Sequence, residues 1–97
     1  MEEDPTVLPQ TLTLSNNYPN PFNPSTRIGF TLPATGRATV RVYNVLGQQV
    51  ALLFDGVAEA SRPYDLSFQA GPLAAGAYVY TLEFGGQLLT RRMALVK

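Results

Sequence analysis

The apolar residues of this chain recur at every second position in short runs, and this period of two most strongly constrains the fold. Ile28, Phe30 and Leu32 share one face of such a run, and Leu66 and Phe68 share one face of another. Gly, Pro or Asn interrupts the runs about every ten residues, and no segment sustains the 3.6-residue period of an amphipathic helix. The pattern predicts an all-β fold: an immunoglobulin- or fibronectin III-like antiparallel β-sandwich of two sheets and about seven strands.

Turn residues divide the chain between these strands. Gly47 is placed to take the left-handed conformation in the turn Asn44–Gly47, and Gly85–Gly86 is a two-residue hairpin turn. Asp55–Gly56 is expected to close the fourth strand. The predicted strands are Thr11–Leu14, Arg27–Leu32, Ala38–Val42, Val50–Phe54, Tyr64–Ala70, Tyr78–Phe84 and Gln87–Lys97.

The last predicted strand carries apolar residues on both faces. Met93 and Leu95 share one face with Leu89, whereas Leu88 and Val96 lie on the other. A β-bulge explains such a pattern, and so does burial of both faces. Alternation alone therefore does not decide which face of this strand points inward.

The segment Tyr18–Thr26 contains three prolines. They remove three backbone donors and fix three φ angles, so neither a helix nor a central strand is expected there. Asn20 and Asn23 are expected to accept hydrogen bonds from downstream backbone amides in Asx turns. Tyr18 and Phe22 are available to anchor the segment, which we therefore interpret as a rigid, ordered loop.

The composition excludes several classes of function. The chain has no cysteine and no histidine, so it lacks disulfides, thiolate metal sites, a cysteine nucleophile and the usual general base near neutral pH. Its net charge of zero argues against a nucleic-acid partner and a polybasic membrane anchor. No apolar run reaches the ~20 residues that span a bilayer. We expect no cofactor, no nucleic acid and no membrane insertion.

The acidic residues do not suggest a catalytic centre. Hydrolysis by paired carboxylates needs two carboxyl groups ~5 to 10 Å apart across a cleft. Asp55 and Glu59 are close in sequence but lie in a turn-rich connection, where solvation is the usual role and calcium binding is the alternative. We therefore predict no catalytic and no metal-binding residues.

The chain is long enough for one domain. Residues 1–10 are acidic at their start and contain two prolines; we interpret them as the end of an interdomain linker or a remnant left by excision. Residues 11–97 are then the β-sandwich domain, and the native protein is expected to carry further domains before it.

Several motifs follow one another along most of the chain. Tyr18–Thr26 precedes Ile28–Leu32, and Val42–Gln48, Ala75–Tyr80 and Arg92–Lys97 follow in that order. Together they resemble the type A C-terminal sorting domain of cargo proteins of the type IX (Por) secretion system. The segment Ala58–Ser61 departs from the Ala-Gly usual in that family, which leaves the geometry of that turn open.

This resemblance implies a non-catalytic, immunoglobulin-like domain that directs an attached passenger enzyme or adhesin to the cell surface. The passenger would lie on its N-terminal side. Its partners would be the outer-membrane secretion machinery and a sortase-like peptidase that removes the domain after export through the periplasm and outer membrane. The product would be secreted or attached to the cell surface.

Two segments are candidates for recognition by these partners. The proline segment either caps the sandwich or docks on the receptor as a preformed loop. The last strand either packs in the core through Met93 and Leu95 or offers a sheet edge to a partner by strand addition. The candidate recognition residues are Tyr18, Pro19, Asn20, Pro21, Phe22, Asn23, Pro24, Gly47, Arg91, Arg92, Met93, Leu95 and Lys97.

A carbohydrate-binding or spacer module of a polysaccharide-degrading enzyme is the alternative. Tyr78 and Tyr80 are expected in the core, with a hydroxyl bonded to nearby backbone as in a tyrosine corner. Tyr43 lies outward in the alternation and is the better candidate for an exposed aromatic. The absence of tryptophan argues against a sugar-binding platform.

Overall fold

The computed structural model describes residues 12–97, and all the regular structure among them is β. The predicted linker 1–10 and Thr11 of the first predicted strand lie outside the described residues. The strands are β1 (Thr13–Leu14), β2 (Ser25–Thr31), β3 (Gly36–Tyr43), β4 (Gln49–Ala58), β5 (Tyr64–Gln69), β6 (Gly76–Phe84) and β7 (Gln87–Leu95).

The strands form two antiparallel sheets. One sheet has the order β1-β2-β5, and the other has the order β4-β3-β6-β7. The fourth strand thus joins the sheet of the third, as in the fibronectin III variant of the immunoglobulin-like sandwich. The predicted fold class is confirmed.

Alternating side chains from both sheets fill the space between them. Ile28, Val40 and Leu82 are completely buried, and Phe30 stacks on Tyr64 with ring centroids 5.0 Å apart. Such aromatic pairs stabilise a core beyond the apolar area they bury. The buried apolar residues of this core are Leu14, Phe22, Ile28, Phe30, Leu32, Ala38, Val40, Val42, Ala58, Phe68, Ala70, Tyr78, Tyr80, Leu82, Met93 and Leu95.

The strand β4 is longer than predicted. Asp55–Gly56 does not close it, because the pairing with β3 continues through Gly56, opposite Ala38, to Ala58. Asp55 forms an ion pair with Arg37 on the neighbouring strand, with 2.7 Å between the charged atoms. The pairing of β4 with β3 therefore overrides the local turn preference of Asp-Gly.

The turns that depend on glycine agree with the prediction. Gly47 has φ of 83°, and Gly85 and Gly86 have φ of 57° and 80°. Both residues of a two-residue hairpin turn of type I′ need positive φ, which glycine takes without steric cost. The Gly85–Gly86 turn therefore fixes the register in which β7 returns along β6.

Tyr78 and Tyr80 are buried in the core as predicted, and the hydroxyl of each ties a connection to it. The hydroxyl of Tyr78 donates to the carbonyl of Ala74 at 2.6 Å, the arrangement of a tyrosine corner. The hydroxyl of Tyr80 donates to the carbonyl of Ser15, also at 2.6 Å, and so reaches across the sandwich to the chain just before the proline segment.

Candidate functional site

The proline segment is joined to the last strand by backbone hydrogen bonds. The N–H of Phe22 donates to the carbonyl of Ala94 at 2.9 Å, and the N–H of Val96 donates to the carbonyl of Phe22 at 3.0 Å. Phe22 thus forms a single parallel bridge with Leu95. The two segments predicted separately to be recognised are adjacent parts of one surface.

Two side chains strengthen this junction. The Oδ1 atom of Asn20 accepts a hydrogen bond from the N–H of Ala94 at 3.0 Å. The ring of Phe22 is 1% exposed and lies 5.8 Å from the ring of Phe68, measured between centroids. Phe22 is therefore an anchor, as predicted, whereas Asn20 bonds to a distant strand and not to a downstream amide in an Asx turn.

The base of the loop is held by a compact polar network. The Nδ2 atom of buried Asn17 donates to the carbonyl of Pro19 and to Oγ1 of Thr26, both at 3.1 Å. Thr26 Oγ1 in turn donates to the same carbonyl at 2.8 Å. Tyr18 and Arg27 exchange two backbone bonds of 3.0 Å. These contacts hold both ends of the loop together, which makes it rigid as expected.

The outward part of the loop is polar and proline-rich. Pro19, Asn20, Pro21, Asn23 and Pro24 are exposed. The side chain of Tyr18 is 80% exposed. The expectation that Tyr18 anchors the loop is wrong, because its backbone and not its ring makes the contact with β2.

The last strand presents its two faces differently. Met93 and Leu95 are 3% and 2% exposed, whereas Leu88 is 61% and Val96 47% exposed. Alternation alone did not decide which face of β7 points inward. It is the face of Met93 and Leu95, whose side chains pack in the core. The candidate recognition residues Arg92 and Lys97 remain exposed.

Arg91, another candidate recognition residue, is engaged within the domain. Its Nε donates to the carbonyl of Leu14 at 2.6 Å, and its Nη1 donates to Oδ1 of Asn16 at 3.3 Å. A guanidinium offers several donors in a fixed fork, which suits such a double contact. Arg91 therefore connects the edge strands β7 and β1 of the two sheets.

The turn that contains Gly47 lies at the same end of the sandwich as the proline loop. Tyr43 is paired with Val79, and Val79 with Arg92, so these residues form one row across three strands. Since β3 and β7 run in the same direction, both continue from this row toward one end. The turn after β3 and the end of β7 are two strand spacings apart, roughly 10 Å.

This turn is rigid and presents apolar side chains that are not among the candidate recognition residues. Val45 and Leu46 are 75% and 78% exposed. Oδ1 of Asn44 accepts hydrogen bonds from the N–H groups of Leu46 and Gln48 at 2.9 and 3.0 Å. The sequence did contain a signal for this exposed apolar pair: the two residues are adjacent inside an Asn-x-x-Gly turn, and such a turn lies at the surface.

The side-chain carboxylates of residues 12–97 are all in ion pairs. Asp55 and Asp65 pair with Arg37 and Arg27, and Glu59 and Glu83 pair with Arg62 and Arg41. No group of three or more residues suited to binding a metal ion occurs in this part of the chain. Asp55 and Glu59, considered for calcium, therefore point to separate arginine partners.

Two other surface features bear on whether the domain carries a catalytic site or a carbohydrate-binding surface. An open depression of about 410 Å³ is lined by Gly29, Tyr64 and Arg91 among others, and its lining contains no carboxylate. Tyr43 is half-buried, contrary to the expectation that it is the exposed aromatic. No helix in the described part of the chain is long and apolar enough to cross a membrane.

The fold and the site define a class of protein: a small immunoglobulin-like module that presents a rigid loop, a turn and a strand end together at one end of a sandwich. A comparison with protein-family models matches residues 16–96 to the secretion system C-terminal sorting domain. The chain belongs to this family, the C-terminal sorting domains of type IX secretion. No curated protein and no solved structure matches it significantly.

Proposed function

We propose that this domain is a non-catalytic export address that directs an N-terminally attached passenger, an enzyme or adhesin, through the type IX secretion system to the cell surface. Residues 1–10 would then link the passenger to the domain formed by residues 11–97. The observation that carries the proposal is the junction of Phe22 with β7, which combines two candidate recognition segments into one surface on a chain of this family.

The address would act by binding alone. The proline loop is held by the network around Asn17 and by the bond from Asn20 to β7. Because it is already ordered, it would lose little conformational entropy when a receptor binds. The outer-membrane machinery would contact this end of the sandwich, and a sortase-like peptidase would afterwards cut between passenger and domain.

The exposed apolar turn at the same end supplies a direct test. Leu46 is 78% exposed at the proposed recognition end of the sandwich. Val57 is 68% exposed near the C-terminal end of β4, which lies at the other end of the sandwich. Substituting either residue by serine should change the free energy of unfolding by no more than about 0.5 kcal/mol. The two variants therefore differ in which end of the sandwich they alter.

The experiment fuses the full chain to the C-terminus of a secreted reporter in a bacterium with a type IX system. We expect the wild-type fusion and Val57→Ser to reach the surface, and Leu46→Ser to reach it several-fold less. Failure of the wild-type fusion to be exported would refute the address function. Equal export of the two variants would refute the assignment of recognition to this end.

A further inference from the structure

The outer edge of β7 is accessible to another strand between Leu88 and Arg92. Phe84 and Gln87 close the two-residue turn, and the pairing then alternates regularly along β6. In such a ladder every second residue directs both its N–H and its C=O away from the neighbouring strand. The backbone bonds of Ala94 and Val96 to the proline segment show that the N–H and C=O groups of the even-numbered residues of β7 point away from β6.

Among residues 12–97, only the far end of this edge is covered. Ala94 and Val96 are bonded to the loop, whereas no described residue bonds to the backbone groups of Leu88, Thr90 or Arg92. The opposite edge of the same sheet, β4, has two register irregularities against β3. Irregular edges resist the addition of a strand, and regular ones invite it.

The charge at this edge favours an acidic occupant. The side-chain carboxylates of residues 12–97 pair with Arg27, Arg37, Arg41 and Arg62. The other basic residues of this part of the chain, Arg91, Arg92 and Lys97, make no ion pair there, and all lie on or just after β7. The edge strand thus carries positive charge that no side-chain carboxylate of the described residues pairs with.

The same charge argues against a second copy of the chain as the occupant. Pairing two β7 strands edge to edge would place Arg91 and Arg92 of both copies, four like charges, on two adjacent strands, and like charges that come close across paired strands are destabilising. A strand with acidic side chains meets no such repulsion. Leu88 to Arg92 spans about 17 Å, the length of a five-residue strand.

We propose that an extended acidic segment of the secretion machinery pairs as an additional β-strand with the outer edge of β7 between Leu88 and Arg92. This inference rests on the export function proposed above. Backbone bonds would supply affinity, and Arg92 would supply selectivity for acidic side chains. Phe22 already occupies the end of this edge in a parallel bridge, so the partner strand would lie beside the proline loop.

Proline at position 90 tests the backbone pairing. The N–H of Thr90 points outward, so proline removes no bond to β6, and proline is tolerated at strand edges of this kind. Thr90→Val is the matched control, because it keeps the N–H and a β-branched side chain. With both variants folded, we expect Thr90→Pro to lower surface display of the fused reporter at least tenfold and Thr90→Val to leave it unchanged.

Equal export of Thr90→Pro and wild type would overturn the strand addition while leaving the export function standing. An equal loss in both Thr90 variants would also overturn it, since the side chain and not the backbone would then matter. Should Thr90→Pro fail to fold, Arg92→Glu decides: we expect at least a tenfold loss of display, and normal display would overturn the proposal.

Amide hydrogen exchange on the isolated full chain distinguishes other occupants. We expect the amides of Leu88, Thr90 and Arg92 to exchange rapidly, and those of Leu89 and Arg91 to exchange slowly. Protection of the outward amides that is independent of concentration would mean that residues 1–11 cover the edge. Protection that increases with concentration would mean a second copy does. Either result would overturn the proposal.

Discussion

Phe22 forms a parallel β-bridge with Leu95: its N–H and C=O are hydrogen-bonded to Ala94 and Val96, the residues on either side of Leu95. The loop and the end of the last strand therefore form one structural unit, although more than 70 residues separate them in sequence. A substitution in the loop should therefore change the stability or the amide exchange of the strand end, and a substitution in the strand end should change those of the loop. Core substitutions here would block export by unfolding, so stability must be measured before export is interpreted.

Phe22→Ala should lower the free energy of unfolding by about 3 to 5 kcal/mol, because it removes a buried ring and leaves a cavity beside Phe68. Urea denaturation measures this loss. Tyr18→Ala is the control: its ring is 80% exposed, so the expected change is within about 0.5 kcal/mol. Similar losses for both variants would contradict the assignment of Phe22 as the anchor.

The sequence predicted the strands and the loop because both depend on local chemistry. Alternation placed Ile28, Leu66 and Phe68 toward the interior, and the prolines excluded regular structure between Tyr18 and Thr26. Asp55–Gly56 was predicted wrongly, since cross-strand pairing with β3 outweighed the turn preference of the dipeptide.

The sequence did not predict how the parts of the site meet. The bond from Ala94 to Asn20 joins residues 74 positions apart, and no local pattern encodes such a contact. Tyr18 and Phe22 looked equivalent as anchors because both are aromatic residues beside prolines. Only the packing of the two sheets places one ring in the core and the other in solvent.

Asn20→Ala should loosen the junction without unfolding the domain. It removes the acceptor of the Ala94 amide, and losing one such hydrogen bond costs about 0.5 to 1.5 kcal/mol. Amide exchange at Ala94 should become faster, and exchange in β3 should not. Asn23→Ala, in the same loop and also exposed, is the control. Unchanged exchange at Ala94 in Asn20→Ala would show that the bond does not hold the loop.

Arg91 and Arg92 are neighbours with opposite expected roles. Arg91→Ala removes the bond to the carbonyl of Leu14 and should cost about 1 kcal/mol of stability, with faster amide exchange in β1. Arg92→Ala removes an exposed side chain and should leave stability within about 0.5 kcal/mol. Chemical denaturation of the two variants measures the difference. Equal stabilities would contradict the role of Arg91 in connecting the two sheets.

Tyr80 should make the domain sensitive to alkaline pH. Burial raises the pKa of its hydroxyl above the usual 10.0, outweighing the backbone N–H of Asn17 and the charge of Arg91, which lower it. A folded-state pKa above the unfolded value means that the unfolded chain releases the proton first, so this stabilisation is complete below about pH 10 and is lost as the pH rises further.

Tyr80→Phe cannot ionise at this position, and it should be less stable at pH 8 because the bond to Ser15 is lost. Urea denaturation from about pH 8 to 11 should therefore show a smaller decrease in stability above pH 10 for Tyr80→Phe than for wild type. Parallel decreases in the two proteins would show that Tyr80 does not control the alkaline response.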